Sequence, residues 1–174
     1  MSTRSRIGII LKKEDLNKTF NCPDTPVSPE GKEKEYTVNA HGRMISVYCH
    51  NNGYIDGVGS DLSDMFPEKD QETYDKLLKY IMKGDRSTTT VSYIEWRNEP
   101  WDYTKPAVCK VTAERDATAD QFSTAEIEEA CKSVATTGIE YIYVYDVATM
   151  SWYVYDVYGH SFDLLRDKLA EINW

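Results

Sequence analysis

Ile139-Glu-Tyr-Ile-Tyr-Val-Tyr-Asp-Val147, followed three residues later by Ser151-Trp-Tyr-Val-Tyr-Asp-Val157, is the stretch whose reading decides the fold. Both segments are dense in β-branched and aromatic residues, which suit a pleated, packed surface. The link Ala148-Thr149-Met150 is short enough for a hairpin. Alternation along the first segment puts Tyr141, Tyr143 and Tyr145 on one face and Ile142 and Val144 on the other.

Working outward, Ser123-Thr-Ala-Glu126 carries a capping-box signature and opens a helix expected over 123–135. Its inward stripe is Ile127, Ala130, Cys131 and Val134, and Gly138 stops it. After the hairpin, Phe162, Leu165, Leu169 and Ile172 predict a helix over 161–172 with that stripe inward. Tyr74, Leu77, Leu78 and Ile81 give the clearest helical stripe, within 70–84. Gly59-Ser60-Asp61 is read as the cap of a short helix to Phe66, ended by Pro67.

Nearer the N-terminus, Ile7–Leu11 reads as a buried strand. Glu35–Ala40 and Arg43–His50 read as a second hairpin around His41-Gly42. Thr89–Trp96 and Ala107–Thr112 are further strand candidates. Lys13–Lys34 is polar, proline-rich and without periodicity, so it is expected to be a mobile loop. Hairpins separated by helices, without regular βαβ spacing, predict an α+β domain. The expected sheet is mainly antiparallel, with three to four helices packed on it.

The chain of 174 residues suits a single domain over 1–174. At that size roughly two-thirds of the unfolded surface is buried, so no staple is needed. The net charge of −9 disfavours nucleic-acid phosphates and suits solubility or a basic partner. Cys22, Cys49, Cys109 and Cys131 lack the spacing of a zinc site. With no apolar leader-like or spanning run, the expectation is a cytoplasmic protein with free thiols and no membrane contact.

Several segments share a second property. They are Met1-Ser-Thr-Arg-Ser-Arg-Ile-Gly8, Val47-Tyr-Cys-His-Asn-Asn-Gly-Tyr54, Gly57-Val-Gly59, Gly84-Asp85, Glu140-Tyr-Ile-Tyr-Val-Tyr-Asp146 and Trp152-Tyr-Val154. Together they resemble a family of small phage-encoded proteins of unassigned function. That family carries Trp-Asp-Gly-Tyr-Pro where this chain has Asn51-Asn52-Gly53-Tyr54-Ile55, so Asn52 stands in place of the family's acid. The resemblance implies a viral accessory protein in the host cytoplasm and brings no activity with it.

The candidate site is the loop Asn51–Gly59. Arg4, Arg6, His50, Asn52, Gly53, Tyr54, Gly57 and Gly59 are the expected contributors. The glycines allow close backbone approach, Tyr54 offers an aromatic anchor, and the arginines supply positive charge. The alternative for the loop is a plain turn from strand to helix. The expected role is non-catalytic binding of a host protein, with a defence component as a natural target, or of a small anionic or nucleotide ligand, without cofactor or metal.

A second class of reading also stands. Ser2, exposed by removal of Met1, would serve as an N-terminal nucleophile with His50 nearby, giving a hydrolase. Adjacent Cys49 and His50 point to opposite faces of a strand and cannot form a couple within it. Cys49 is expected to be buried with His50 at the rim. The Tyr- and Trp-rich stretch Ser92–Tyr103 is the alternative location for a binding surface.

Overall fold

The computed structural model describes residues 3–15, 19–22, 34–38, 44–68, 72–82, 86–91, 107–113 and 122–172. The strands among the described residues are β1 Arg4–Ile10, β2 Thr19–Cys22, β3 Lys34–Val38, β4 Met44–Cys49, β5 Ala107–Ala113, β6 Ile139–Asp146, β7 Ser151–Asp156 and β8 Ser161–Leu164. The helices are α1 Ser60–Met65, α2 Thr73–Met82, α3 Thr124–Ser133 and α4 Leu165–Ile172.

The main sheet has five strands in the order β4-β1-β6-β7-β8. All neighbours are antiparallel except the central pair β1 and β6, which run parallel. The fold is α+β with a mostly antiparallel sheet, as the patterning predicts.

The two central strands are apolar on both faces, so helices cover both. Tyr143, Tyr145, Ile7 and Ile9 join Leu62, Leu77, Ile81, Trp152 and Leu165 in one core under α1, α2 and α4. Ile142, Val144 and Ile10 join Phe122, Ile127, Ala130, Cys131, Tyr153 and Tyr155 in a second core under α3. The alternation of Tyr141–Tyr145 against Ile142 and Val144 therefore sorts side chains into two separate cores.

Local chemistry fixes the element ends. Ser123 Oγ accepts from the Glu126 amide at 3.2 Å and Glu126 Oε1 accepts from the Ser123 amide at 3.1 Å, closing the capping box. In the β6–β7 turn, buried Asp146 accepts from the Ala148 amide at 3.2 Å and from the Thr149 hydroxyl at 3.0 Å. Beyond the end of β8, the Trp152 amide donates instead to Glu68 Oε1 at 3.0 Å. The Trp152 indole N–H donates to the Phe66 carbonyl at 3.1 Å.

Five expectations need correction. Residues 161–164 form strand β8, with Phe162 opposite Tyr155, and the helix begins only at Leu165. Phe162 and Leu165 fit a helical stripe, but Phe162 and Leu164 also alternate, and pairing with β7 outweighs the local preference. Ile172 is exposed, not inward. Within the described residues, 35–38 and 44–50 do not pair as a hairpin: β4 pairs with β1, whereas β3 pairs in parallel with β5.

The segment expected to lack elements holds a 3-10 turn at Lys13–Asp15 and strand β2. Strand β2 pairs antiparallel with β5 in a three-stranded sheet ordered β2-β5-β3. Finally, a π-helical turn at Ile55–Gly59 precedes α1, so Gly59 has helical angles and is not a cap at a strand-to-helix boundary. His41-Gly42, Gly84 and residues 92–106 lie outside the described residues.

Candidate binding surface

Strand register gathers the relevant residues at one end of the main sheet. Ser5 lies opposite both Cys49 and Tyr141, and Tyr141 lies opposite Asp156. This end therefore carries the start of β1, the end of β4 with His50 and the loop after it, the start of β6, and the end of β7 with the turn to His160.

The loop Asn51–Gly59 packs onto this end through its backbone. The Gly53 amide donates to the Thr3 carbonyl at 2.9 Å, and the buried Tyr143 hydroxyl donates to the Gly53 carbonyl at 2.6 Å. Burial raises the Tyr143 phenol, which keeps it a donor. A Cβ at position 53 would lie 2.7 Å from the Thr3 carbonyl oxygen and 3.0 Å from Ser5 Cβ. Asn52 turns the chain with φ 59°, in the left-handed region that asparagine tolerates. Its carbonyl accepts from the Val58 amide at 2.8 Å, where a Cβ on Gly57 would collide with it. Gly59 is pressed between Leu165 and Tyr143, each 3.1 Å from where its Cβ would stand.

The three glycines therefore serve close packing inside the protein. The amides of Gly57 and Gly59 both donate to the Tyr54 carbonyl, at 2.9 and 3.3 Å, and the Ser60 amide donates to the Ile55 carbonyl. With the Gly53 and Val58 amides, five loop donors are engaged internally, so they offer no cradle to an anion.

What this rigid base displays is Tyr54, whose side is 49% exposed. At the same sheet end is Tyr141, half-buried and stacked on Tyr143 with ring centroids 6.3 Å apart. Burial raises the Tyr141 phenol, and Asp156, Glu140, Tyr54 and Asp56 raise it further in that order. Asp156, Glu140 and Asp56 thus place carboxylates around Tyr141. In the β7–β8 turn at the same end, Tyr158 is 65% exposed and Asp156 Oδ1 accepts from the Gly159 amide at 2.8 Å.

The arginines lie elsewhere. They alternate with Ser5 and Ile7, so they face the α3 side, opposite the loop. Arg6 donates to Ser46 through Nε at 2.9 Å and Nη2 at 3.0 Å. Arg4 is exposed and reaches toward Gly138. His50 Nδ1 is 2.6 Å from the Tyr48 hydroxyl, also on that side. The structure thus joins Asn52, Gly53, Tyr54, Gly57 and Gly59 in one unit and places Arg4, Arg6 and His50 across the sheet from it. Ser2 lies outside the described residues. Asp56 lies in the loop itself, two residues from Tyr54, whereas strand order brings Tyr141, Asp156 and Tyr158 to this sheet end.

Cys49 is buried and His50 half-buried, in the arrangement that strand alternation predicts. Burial pushes the Cys49 thiol up to about 11 and the Cys131 thiol up to about 12, so neither is a thiolate near neutral pH. The edge of β4 beside Cys49 is closed by residues 86–87. The Arg86 amide donates to the Tyr48 carbonyl, the His50 amide to the Arg86 carbonyl and the Asn51 amide to the Ser87 carbonyl, each at 2.8 Å. Buried Arg86 lies 3.9 Å over the Tyr80 ring and donates to the Tyr80 carbonyl at 2.8 Å. Among the described residues, no group of three His, Cys, Asp or Glu is placed to hold a metal, and no helix is long and apolar enough to cross a membrane.

No protein-family model, curated protein or solved structure matches the chain.

Proposed function

We propose that the chain is a non-catalytic binding protein that docks a partner protein with the sheet end centred on Tyr54. One observation carries this reading: a large aromatic side chain 49% exposed on a backbone locked by the contacts of Gly53 and Asn52. An aromatic anchor with a fixed base loses little conformational entropy on binding, which is how interface hot spots gain affinity. Tyr158 at the same end widens the aromatic surface. The internally engaged amides and the surrounding carboxylates favour a protein partner over a small anion at this loop. The resemblance to small phage proteins supports a viral accessory role, with a host protein in the bacterial cytoplasm as the partner.

The test is site-specific photo-crosslinking in a bacterial cytoplasm, with a benzophenone amino acid replacing Tyr54 and, as control, Glu129 on the exposed side of α3. The proposal expects a discrete protein adduct from position 54 and none of that mass from position 129. Absence of an adduct from position 54, or the same adducts from both positions, overturns it.

A further inference from the structure

The sheet end has a definite chemical character beyond its exposure. Gly53 seats the loop against Ser5, and Ser5 is the register partner of Tyr141, so Tyr54 and Tyr141 are neighbours on one surface. Asp156 stands directly across the ladder from Tyr141, and Asp56 lies in the same turn as Tyr54. Asp156 is held in place by the Gly159 amide at 2.8 Å. Both arginines of the N-terminal strand face the opposite side of the sheet, Arg6 donating to Ser46 and Arg4 lying beside Gly138.

Aromatic faces attract cations through their quadrupole, and arginine adds planar stacking that a lysine ammonium lacks. Resting on the binding role given above, we propose that the surface joining Tyr54 and Tyr141 receives an arginine side chain from a basic segment of the partner protein, with Asp56 and Asp156 supplying the counter-charge. The chain's net charge of −9 favours the approach of such a segment, and the two tyrosines give the contact its selectivity. Burial raises the Tyr141 phenol, and Asp156 and Asp56 are among the nearby groups that raise it further.

The experiment uses the full chain and labelled hexa-arginine, hexa-lysine and hexa-glutamate peptides, with affinity read by fluorescence anisotropy. Four variants are compared: Tyr54→Phe, Tyr54→Leu, Asp56→Asn and Glu129→Gln. The last changes net charge as much as Asp56→Asn but lies on α3. The expected result is binding of hexa-arginine in preference to hexa-lysine, and no binding of hexa-glutamate. Tyr54→Leu and Asp56→Asn each weaken hexa-arginine binding by about three- to tenfold, while Tyr54→Phe stays within about twofold. Glu129→Gln also stays within about twofold, because it is exposed on the helix that covers the opposite face of the sheet. Equal losses in Asp56→Asn and Glu129→Gln, an unaffected Tyr54→Leu variant, or equal binding of hexa-lysine would overturn the assignment. A crosslink from position 54 combined with any of those results retires the arginine assignment alone. Failure of the crosslink retires the binding surface with it.

Discussion

Replacing Gly53 with alanine sets a methyl carbon 2.7 Å from the Thr3 carbonyl oxygen and 3.0 Å from Ser5 Cβ. Neither neighbour is the far end of a flexible side chain, so the loop itself must lift. Overpacking of this kind costs about 1–3 kcal/mol. Lifting also strains the 2.9 Å bond from the Gly53 amide and the 2.6 Å bond from Tyr143, each worth about 1 kcal/mol net. The expected loss is about 2–4 kcal/mol, or about 5–15 °C in Tm for a domain of this length. Tyr143→Phe should cost about 1–3 kcal/mol by leaving the Gly53 carbonyl without its donor. Because both substitutions act on one contact, the double variant should fall short of additivity by at least about 0.5 kcal/mol. Urea denaturation of all four forms measures this. A Gly53→Ala protein that melts within about 1 °C of the parent, or strict additivity, would refute the claim that the loop is clamped to β1 and β6.

Other outcomes follow from the same structure. Glu68→Ala should cost about 1–3 kcal/mol because the Trp152 amide loses its acceptor, whereas Arg166→Ala should cost under about 1 kcal/mol because that ion pair is largely exposed; chemical denaturation separates the two. Ser123→Ala should cost about 1 kcal/mol through loss of the capping box, read the same way. Cys49 and Cys131 should resist alkylation at pH 8 in the native state and react once unfolded, as site-resolved mass spectrometry would show. Their protonated forms are favoured by folding, so the linked stability is present below their usual value of 9.0 and is lost as pH rises towards about 11 and 12. Each thiol steepens the decline by about 1.4 kcal/mol per pH unit in that window, measurable as a falling Tm.

The parts of the fold legible from sequence were those whose pattern and packing agree. The β6–β7 hairpin, the Tyr74–Ile81 stripe and the Ser123 capping box each state one periodicity, and the cores use it. Residues 161–164 were misread because Phe162, Leu164 and Leu165 satisfy strand and helix spacing together, and only the open edge of β7 decides between them. Strand β2 and the separation of β3 from β4 depend on pairing with β5, whose register partners lie 75 to 91 residues away in sequence, which no local pattern encodes. At the candidate surface, the loop and Tyr54 were legible from glycine spacing. Tyr141, Asp156 and Tyr158 were not, since their proximity arises from the pairing of β6 with β1 and with β7. The same pairing, through strand alternation, sends Arg4 and Arg6 to the far side.

The most direct measurement of the central claim is the affinity of the partner captured through position 54 for the parent protein and for Tyr54→Ala, alongside matched thermal melts. Tyr54 is half exposed and its backbone contacts survive truncation, so stability should change by less than about 0.5 kcal/mol. As an interface anchor it should carry at least about 2 kcal/mol of the binding energy, which is about thirtyfold in Kd. An affinity within about twofold of the parent, at equal Tm, would contradict the assignment of this sheet end as the binding surface.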